Sequence, residues 1–311
     1  MAPRLRIGSR GSQLALWQAR HVAARLGADI EVITTSGDRI AQAPLALFGG
    51  KGLFTKEIEE ALLAGQIDLA VHSLKDVPAE LPAGLVLAAF LPREDARDAL
   101  IAPPGTTLAS LPAGARVGTS SLRRKAQLLA HRPDLRACDL RGNVDTRLSK
   151  WAQGECDALV LAAAGLLRLG RQETIAEYLP VETMCPAAGQ GILALECRAQ
   201  DRAALAAAAA LNDEASAMAA SAERAVLHAL GAGCQTPIGV HASAAAGELR
   251  LRAVLAEPDG SRVLRAEAAS ARGPAAAAAL GEAVAAQLER QGARVLLARL
   301  EGLPASAPEA P

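Results

Sequence analysis

The stretch Leu5-Arg6-Ile7-Gly8-Ser9-Arg10-Gly11-Ser12-Gln13-Leu14-Ala15-Leu16-Trp17-Gln18 sets the architecture. Leu5 to Ser9 reads as a strand, and Ser12 stands where a side-chain oxygen caps the first turn of a helix. Leu14, Leu16, Trp17, Ala24 and Leu26 are available for the buried side of that helix. Asp29 to Ile33 is a second strand. Lys56 to Ala64 is a helix, with Glu57, Glu59 and Glu60 at its positive end and Gly65 at its exit. Asp68 to Val71 is a short apolar strand. Strands alternating with helices predict a parallel α/β sheet.

The same alternation resumes after Pro92-Arg93-Glu94-Asp95, a polar candidate hinge. Val117 to Thr119 and Leu135 to Leu140 are strands, with helix starts at Ser120-Ser121 and after Gly142-Asn143. Ala158 to Ala162 is a further strand. Pro186-Ala187-Ala188-Gly189-Gln190-Gly191 breaks the pattern before a strand over Ile192 to Glu196. Ala203 to Leu211 reads as a helix, although its alanine content also suits a flexible linker. Glu214 to Leu230 is a helix ended by Gly231-Ala232-Gly233. Beyond it, Leu249 to Ala256 and Arg262 to Ala269 flank the turn signal Pro258-Asp259-Gly260, and Ala275 to Gln291 is a helix. The expectation is two α/β lobes plus a smaller α+β C-terminal domain. Lobe one comprises 1–92 and 192–211, lobe two 97–186 and the third domain 214–303, with 304–311 a disordered tail.

Bulk properties narrow the classes. The chain has 311 residues, so two or three domains are expected. Aromatics are only 2% of it, which leaves Leu, Val, Ile and Ala to fill the cores. Lys plus Arg and Asp plus Glu are 33 each, a balance that argues against a surface built for nucleic acid. No apolar run approaches the ~20 residues of a membrane helix, and the N-terminus lacks a signal-like apolar stretch, so a cytoplasmic protein without membrane attachment is expected. The cysteines are Cys138, Cys156, Cys185, Cys197 and Cys234. Their odd number and the lack of any CxxC argue against a disulfide framework or a zinc site. No metal site is expected. The first four read as buried apolar residues; Cys234, among glycines and before Pro237, reads as an exposed thiol suited to be a nucleophile or attachment point.

Positive charge is concentrated in one place. Between Arg116 and Lys150 there are nine Lys or Arg residues against Asp134, Asp139 and Asp145. A solvated helix face is the plain explanation for any one of them. Arg123 and Arg124, however, lie in the first turn after Gly118-Thr119-Ser120-Ser121, where backbone N–H groups already favour an anion. Arg141 precedes Gly142-Asn143, and Arg147 follows one turn later. Arginine suits two-pronged carboxylate or phosphate recognition. Single-strand nucleic-acid binders interleave aromatics, and this stretch has none before Trp151, so a small polyanion fits better. Arg10-Gly11-Ser12 forms another anion-suited turn, to which Lys51 and Phe54 add a cation and a ring. Lys75-Asp76 follows a strand end, where α/β sites form, although a lone Asp there is more often a cap. His72 is more often a satisfied core histidine than a base.

The order and wording of these segments resemble the porphobilinogen deaminase (hydroxymethylbilane synthase) family. The segments are Gly8 to Ser12, Leu14 to Gln18, Gly49-Gly50-Lys51-Gly52-Leu53-Phe54, His72 to Pro78, Gly118 to Arg124, Leu140 to Val144, Thr146-Arg147-Leu148, Ala164-Gly165-Leu166, Gly189-Gln190-Gly191, Glu223-Arg224 and Gly233 to Gly239. The resemblance covers about residues 4–300. It implies two periplasmic-binding-protein-like lobes joined by crossing strands, and a third domain bearing a dipyrromethane cofactor on Cys234 through a thioether. It implies that four porphobilinogen molecules are joined in sequence with loss of ammonia, and that hydrolysis releases hydroxymethylbilane. By resemblance Asp76 and Lys75 are the catalytic residues, Asp76 as the carboxylate and Lys75 also as a carboxylate-holding cation. Ser121, Arg123 and Arg124, with Asp76, match cofactor-holding positions. Arg10, Ser12, Lys51, Phe54, Ser73, Arg141, Arg147, Arg168 and Gln190 match substrate-holding ones. A monomer is the family's habit. Leu47 stands where relatives often carry a lysine, and Ala232 where many have glycine. Two other readings stay open on the residues alone: a two-lobed small-anion binding protein, and an RNA-binding protein using the Arg116–Lys150 cluster.

Overall fold

The computed structural model describes residues 4–36, 54–233, 235–245 and 247–302. Lys51, Leu47, Cys234 and the 304–311 tail lie outside the described residues. Three sheets organise the chain. In the first lobe, β1 (Arg6–Ser9) pairs in parallel with β2 (Asp29–Val32) and β3 (Leu69–Ser73). The chain then runs through β4 (Leu85–Phe90) and crosses over to begin β5 (Asp98–Ile101) of a second sheet. There β6 (Arg116–Gly118) is flanked in parallel by β7 (Arg136–Cys138) and β8 (Ala158–Ala162), and β9 (Ile175–Leu179) closes the edge. The chain crosses back as β10 (Leu193–Arg198), which inserts between β3 and β4.

The sheets are mixed, which corrects the expectation of a parallel one. β10 is antiparallel to β3 and β4, and β5 is antiparallel to β8 and β9. The cause is the double crossover. Each returning strand enters from the other lobe and so runs against its host. The strand orders β2-β1-β3-β10-β4 and β7-β6-β8-β5-β9 are therefore the same pattern used twice. Where the crossings meet, Gly191 has φ +89° and packs so tightly that a Cβ would collide with the Glu94 carbonyl oxygen. Only glycine serves there.

Helix ends follow the sequence chemistry. Ser12 accepts from the Ala15 N–H at the start of α1 (Gln13–Leu26), and Gly27 closes it at φ +62°. The buried face of α1 is Gln18, Ala19, Val22 and Ala23, while Ala24 is exposed, so the expected face is rotated. Gln18 reaches the interior because its Nε2 donates to Ser73 Oγ at 2.9 Å. After α2 (Lys56–Leu63) come α3 (Leu122–His131), capped by Ser121, and α4 (Val144–Ala152), capped by Asn143. Then follow α5 (Ala163–Arg168), α6 (Arg202–Ala209), capped by Asp201, and α7 (Glu214–Leu230), capped by Asp213.

The third sheet is an antiparallel β11-β12-β13 meander (Ile238–Ala245, Glu248–Ala256, Val263–Ala271). Its apolar face buries Val240, Leu249, Leu251 and Leu255 against α7 and α8 (Pro274–Arg290), and α9 (Ala293–Gly302) follows. The Val240 N–H donates to the Pro186 carbonyl at 2.8 Å. That bond pins the third domain to the crossing segment.

Candidate active site

A cavity of about 720 Å³ opens where the two lobes and the third domain converge. Lobe one contributes Lys75 and Asp76 from the single 3-10 turn after β3, lobe two Ser121, Arg123, Arg124 and Arg147, the crossing segment Gln190, and the third domain Gly233. These are residues that the sequence brings forward, and all of them line the cavity. Gly233 is the chain neighbour of Cys234. The turn it begins is closed by the Thr236 N–H donating to the Gly233 carbonyl at 2.9 Å and the Gly233 N–H donating to Thr236 Oγ1 at 3.1 Å.

The arginine pair is not a solvated face. Arg123 and Arg124 are buried, and both bind Asp98, which is itself fully buried. Arg123 Nη1 donates to Asp98 Oδ2 and to the Cys185 carbonyl, both at 2.7 Å. Arg124 donates to Asp98 Oδ1 from Nε at 3.0 Å and Nη2 at 2.8 Å, and from Nη1 to the Val160 carbonyl. Gln190 Nε2 completes the set at 2.9 Å from Asp98 Oδ1. Burial alone would raise the Asp98 pKa, but the two guanidiniums overcome it and hold the carboxyl well below the usual range. One carboxylate between two guanidiniums leaves a net positive charge at the cavity wall. Nε and Nη2 of Arg123 have no protein partner among the described residues.

Lys75 and Arg147 add to this field. Burial lowers the Lys75 pKa to about 8; Asp76 opposes the shift, while Arg124 reinforces it. Lys75 Nζ lies 3.5 Å from Gln190 Oε1. Burial, with help from Arg124, brings Arg147 down to about 10. Both groups are cations short of counter-charge, the condition under which an anion binds with gain. Asp76 is exposed to the cavity, and among the described residues no hydrogen bond or ion pair engages its carboxylate.

The remaining residues of the sequence reading stand elsewhere. Arg10 lies over the Phe54 ring, 4.1 Å from its centre, near the β1–α1 turn where Ser12 is the helix cap. Ser73 accepts from Gln18 behind the Lys75 turn. Arg141 pairs with Asp139 at 2.7 Å. Arg168 donates to the Gly191 carbonyl at 2.6 Å and sits near Trp17, at the seam between lobes, where burial lowers its pKa to about 10. None of these six lines the cavity. Other members of the basic cluster are surface pairs, such as Arg116 with Asp157 and Arg132 with Asp134. His72 is a satisfied core histidine, 2.9 Å from Glu196 through Nε2.

Two supports were not legible as roles. Asp98 is one; its signal was a lone acid opening the apolar run Ala99-Leu100-Ile101. The other is the division of labour in Glu223-Arg224 of α7. Buried Glu223 accepts from Arg93 at 2.6 Å, the Gly189 N–H at 2.5 Å and the Ala242 N–H at 2.7 Å. Arg224 donates to the carbonyls of Val77, Pro78 and Ala79. One residue thus fixes the crossing segment that carries Gln190, and the next fixes the loop that follows Asp76.

Comparison with known proteins adds a family. A family model described as porphobilinogen deaminase, dipyromethane cofactor binding domain, matches residues 5–206. The porphobilinogen deaminase C-terminal domain model matches residues 217–290. The porphobilinogen deaminase of Syntrophotalea carbinolica is 52% identical over 307 residues, covering 96% of this chain and 97% of the relative. That of Syntrophomonas wolfei subsp. wolfei is 47% identical over 300 residues, covering 94% and 97%. Among solved structures, an arginine-specific periplasmic binding protein of Salmonella typhimurium is 13% identical, with a TM-score of 0.38, covering 70% of this chain and 94% of that one.

Proposed function

The chain belongs to the porphobilinogen deaminase family, and from that premise we propose that it is a hydroxymethylbilane synthase, a cytoplasmic monomer that condenses four porphobilinogen molecules and releases hydroxymethylbilane. The division into 1–92 with 192–211, 97–186 and 214–303 is part of this reading. The observation that carries it is the convergence of Lys75, Asp76, Arg123, Arg124 and Arg147 on one cavity beside the neighbour of Cys234.

The cavity suits a dipyrromethane on Cys234. Two pyrrole rings bearing acetate and propionate groups need a hollow of several hundred Å³ and more cations than anions around it, and the wall supplies both. Cys234 would hold the group covalently, with Ser121, Arg123 and Arg124 as carboxylate partners. When bound, the dipyrromethane supplies the pyrrole carbon to which the first substrate ring is joined. Asp76 is the group placed to stabilise the positive charge that develops on the substrate as ammonia leaves, and to handle the proton. Arg147 and Lys75 hold substrate carboxylates, and Gln190 steadies the Lys75 ammonium. Arg10, Ser12, Phe54, Ser73, Arg141 and Arg168 serve the growing chain beyond the cavity wall, and Lys51 is assigned to the same task by its place in the motif.

Protein purified from cells should be heavier than its sequence by one dipyrromethane, mapped to the peptide of Cys234, and Cys234→Ser should lack both the added mass and the activity. An unmodified, fully active protein would end this reading. A binding module would hold porphobilinogen, consume none and carry no adduct.

Lys75 gives a second expected result. With a pKa of about 8 it is about half-protonated in the free protein at pH 8, and a bound carboxylate restores the charge. Binding of a porphobilinogen analogue lacking the aminomethyl group should take up about half a proton at this site at pH 8, and affinity should fall as pH rises further. Calorimetry in buffers of differing ionisation enthalpy measures the uptake. Lys75→Arg should abolish it, and equal uptake by that variant would assign the proton elsewhere.

A further inference from the structure

Cys138 and Cys156 lie on either side of β6 and meet over it. Cys138 ends β7 and pairs in register with Gly118 of β6. Paired positions on parallel strands point to the same face. Cys156 sits in the turn between α4 and β8. Its Sγ fills the space where Gly118 lacks a side chain, 3.0 Å from where a Cβ would stand. Glycine at 118 therefore leaves room for the Cys156 sulfur on the face to which the Cys138 side chain points. Both belong to the same apolar cluster, with Leu140, Leu159 and Trp151.

The two thiols are unequal. Cys156 is buried, whereas Cys138 is partly open to solvent. The neighbouring Cys156 thiol, helped by the Arg116 charge against the cost of burial, brings the Cys138 thiol down to about 7, and the proximity of Cys138 together with burial pushes Cys156 up. Cys185 and Cys197 are also buried and are raised by burial to about 12 and about 11. Reactivity follows thiolate character and access.

We propose that Cys138 and Cys156 form a redox modification site, in which hydrogen peroxide oxidises Cys138 and Cys156 resolves it to a disulfide that encloses α4. The Cys138 thiolate attacks one peroxide oxygen, the O–O bond breaks, and Cys138 sulfenic acid and hydroxide form. The Cys156 sulfur then displaces the sulfenic oxygen and the S–S bond forms. Oxygen leaves as water with the Cys156 proton. Two electrons pass from the thiols to peroxide, and two thiols return when a reducing thiol reopens the bond. The crosslink ties down both ends of the segment that carries Arg141 and Arg147, so oxidation reaches the cavity wall through α4.

The test uses the full-length loaded protein, treated with a small excess of hydrogen peroxide, alkylated and digested with trypsin without reduction. The Ala137–Arg141 peptide should appear joined to Trp151–Arg168, and dithiothreitol should separate them. Loss of alkylatable thiol at Cys138 should be about tenfold or more faster than at Cys185. In Cys156→Ser, Cys138 should stop at sulfenic acid and be trapped by dimedone; in Cys138→Ser, Cys156 should resist peroxide. Wild-type protein in which both thiols stay alkylatable, or in which Cys138 proceeds to sulfinic acid while Cys156 stays free, overturns the proposal. Because the wild-type digest decides, the proposal does not depend on either variant folding.

Discussion

Replacing Asp76 with alanine is expected to lower the rate of porphobilinogen consumption by a hundredfold or more while leaving the fold and its thermal midpoint close to unchanged. Asp76 ends a 3-10 turn, its side chain is exposed to the cavity, and no hydrogen bond or ion pair of the described fold engages its carboxylate. The turn is held by other groups: the Leu74 N–H donates to the Ile192 carbonyl at 3.0 Å, and Arg224 holds the residues that follow. The fold therefore loses little with the carboxylate. The reaction loses an exposed acid set beside Lys75, Arg124 and Arg147, each of which feels the Asp76 charge. A charge that acts only along the reaction path is worth about 3–4 kcal/mol, a hundredfold or more in rate. Asp76→Asn keeps the shape and should be nearly as inactive, whereas Asp76→Glu should retain part of the rate. Ammonia release and circular dichroism make the measurement. An alanine variant that turns over near the wild-type rate would reduce Asp76 to the end of a turn.

The sequence discloses what local chemistry controls. Ser12, Ser121 and Asn143 each announce a helix start, and each caps one. Pro258-Asp259-Gly260 announces the β12–β13 hairpin. Strand direction is different in kind. Nothing within Leu193-Ala194-Leu195-Glu196 says that β10 runs against β3, because its direction depends on which lobe the chain returns from. β5, with four buried residues, and β9 lack an alternating pattern and pass unread between clearer elements. The rotated face of α1 has a local cause, the bond of Gln18 to Ser73, but the two partners are 55 residues apart. In the site, ordered motifs disclose Lys75, Asp76, Arg123, Arg124 and Gln190. They do not disclose that the arginines are buried, since the burying acid comes from strand β5, 25 and 26 residues before them in the chain.

That acid carries the largest expected effect on stability. Asp98→Ala should destabilise the protein by about 3–5 kcal/mol, because it leaves two guanidiniums in the interior with carbonyl partners alone. In the native protein Asp98 takes three hydrogen bonds from the arginines and one from Gln190, with no exposure to water. Its pKa is depressed in the folded state relative to the unfolded 3.8. A group shifted in this direction contributes fully above the unfolded value, and the contribution is lost as pH falls below it toward the folded one. Wild-type protein should therefore lose stability steeply as pH falls below about 4, and the gap between wild type and Asp98→Ala should narrow over the same range. Asp98→Asn keeps the volume but not the charge, and should fall between them. The effect should extend to the site, since Arg123 is held by Asp98 at 2.7 Å and the wall that Arg123 forms depends on it. Asp98→Ala should accordingly carry less dipyrromethane per chain, as read from intact mass. Denaturant unfolding at neutral and acid pH measures the stability. A variant less than about 1 kcal/mol below wild type at neutral pH would mean that water, not Asp98, balances the arginine pair, and the cavity wall would then need another source of order.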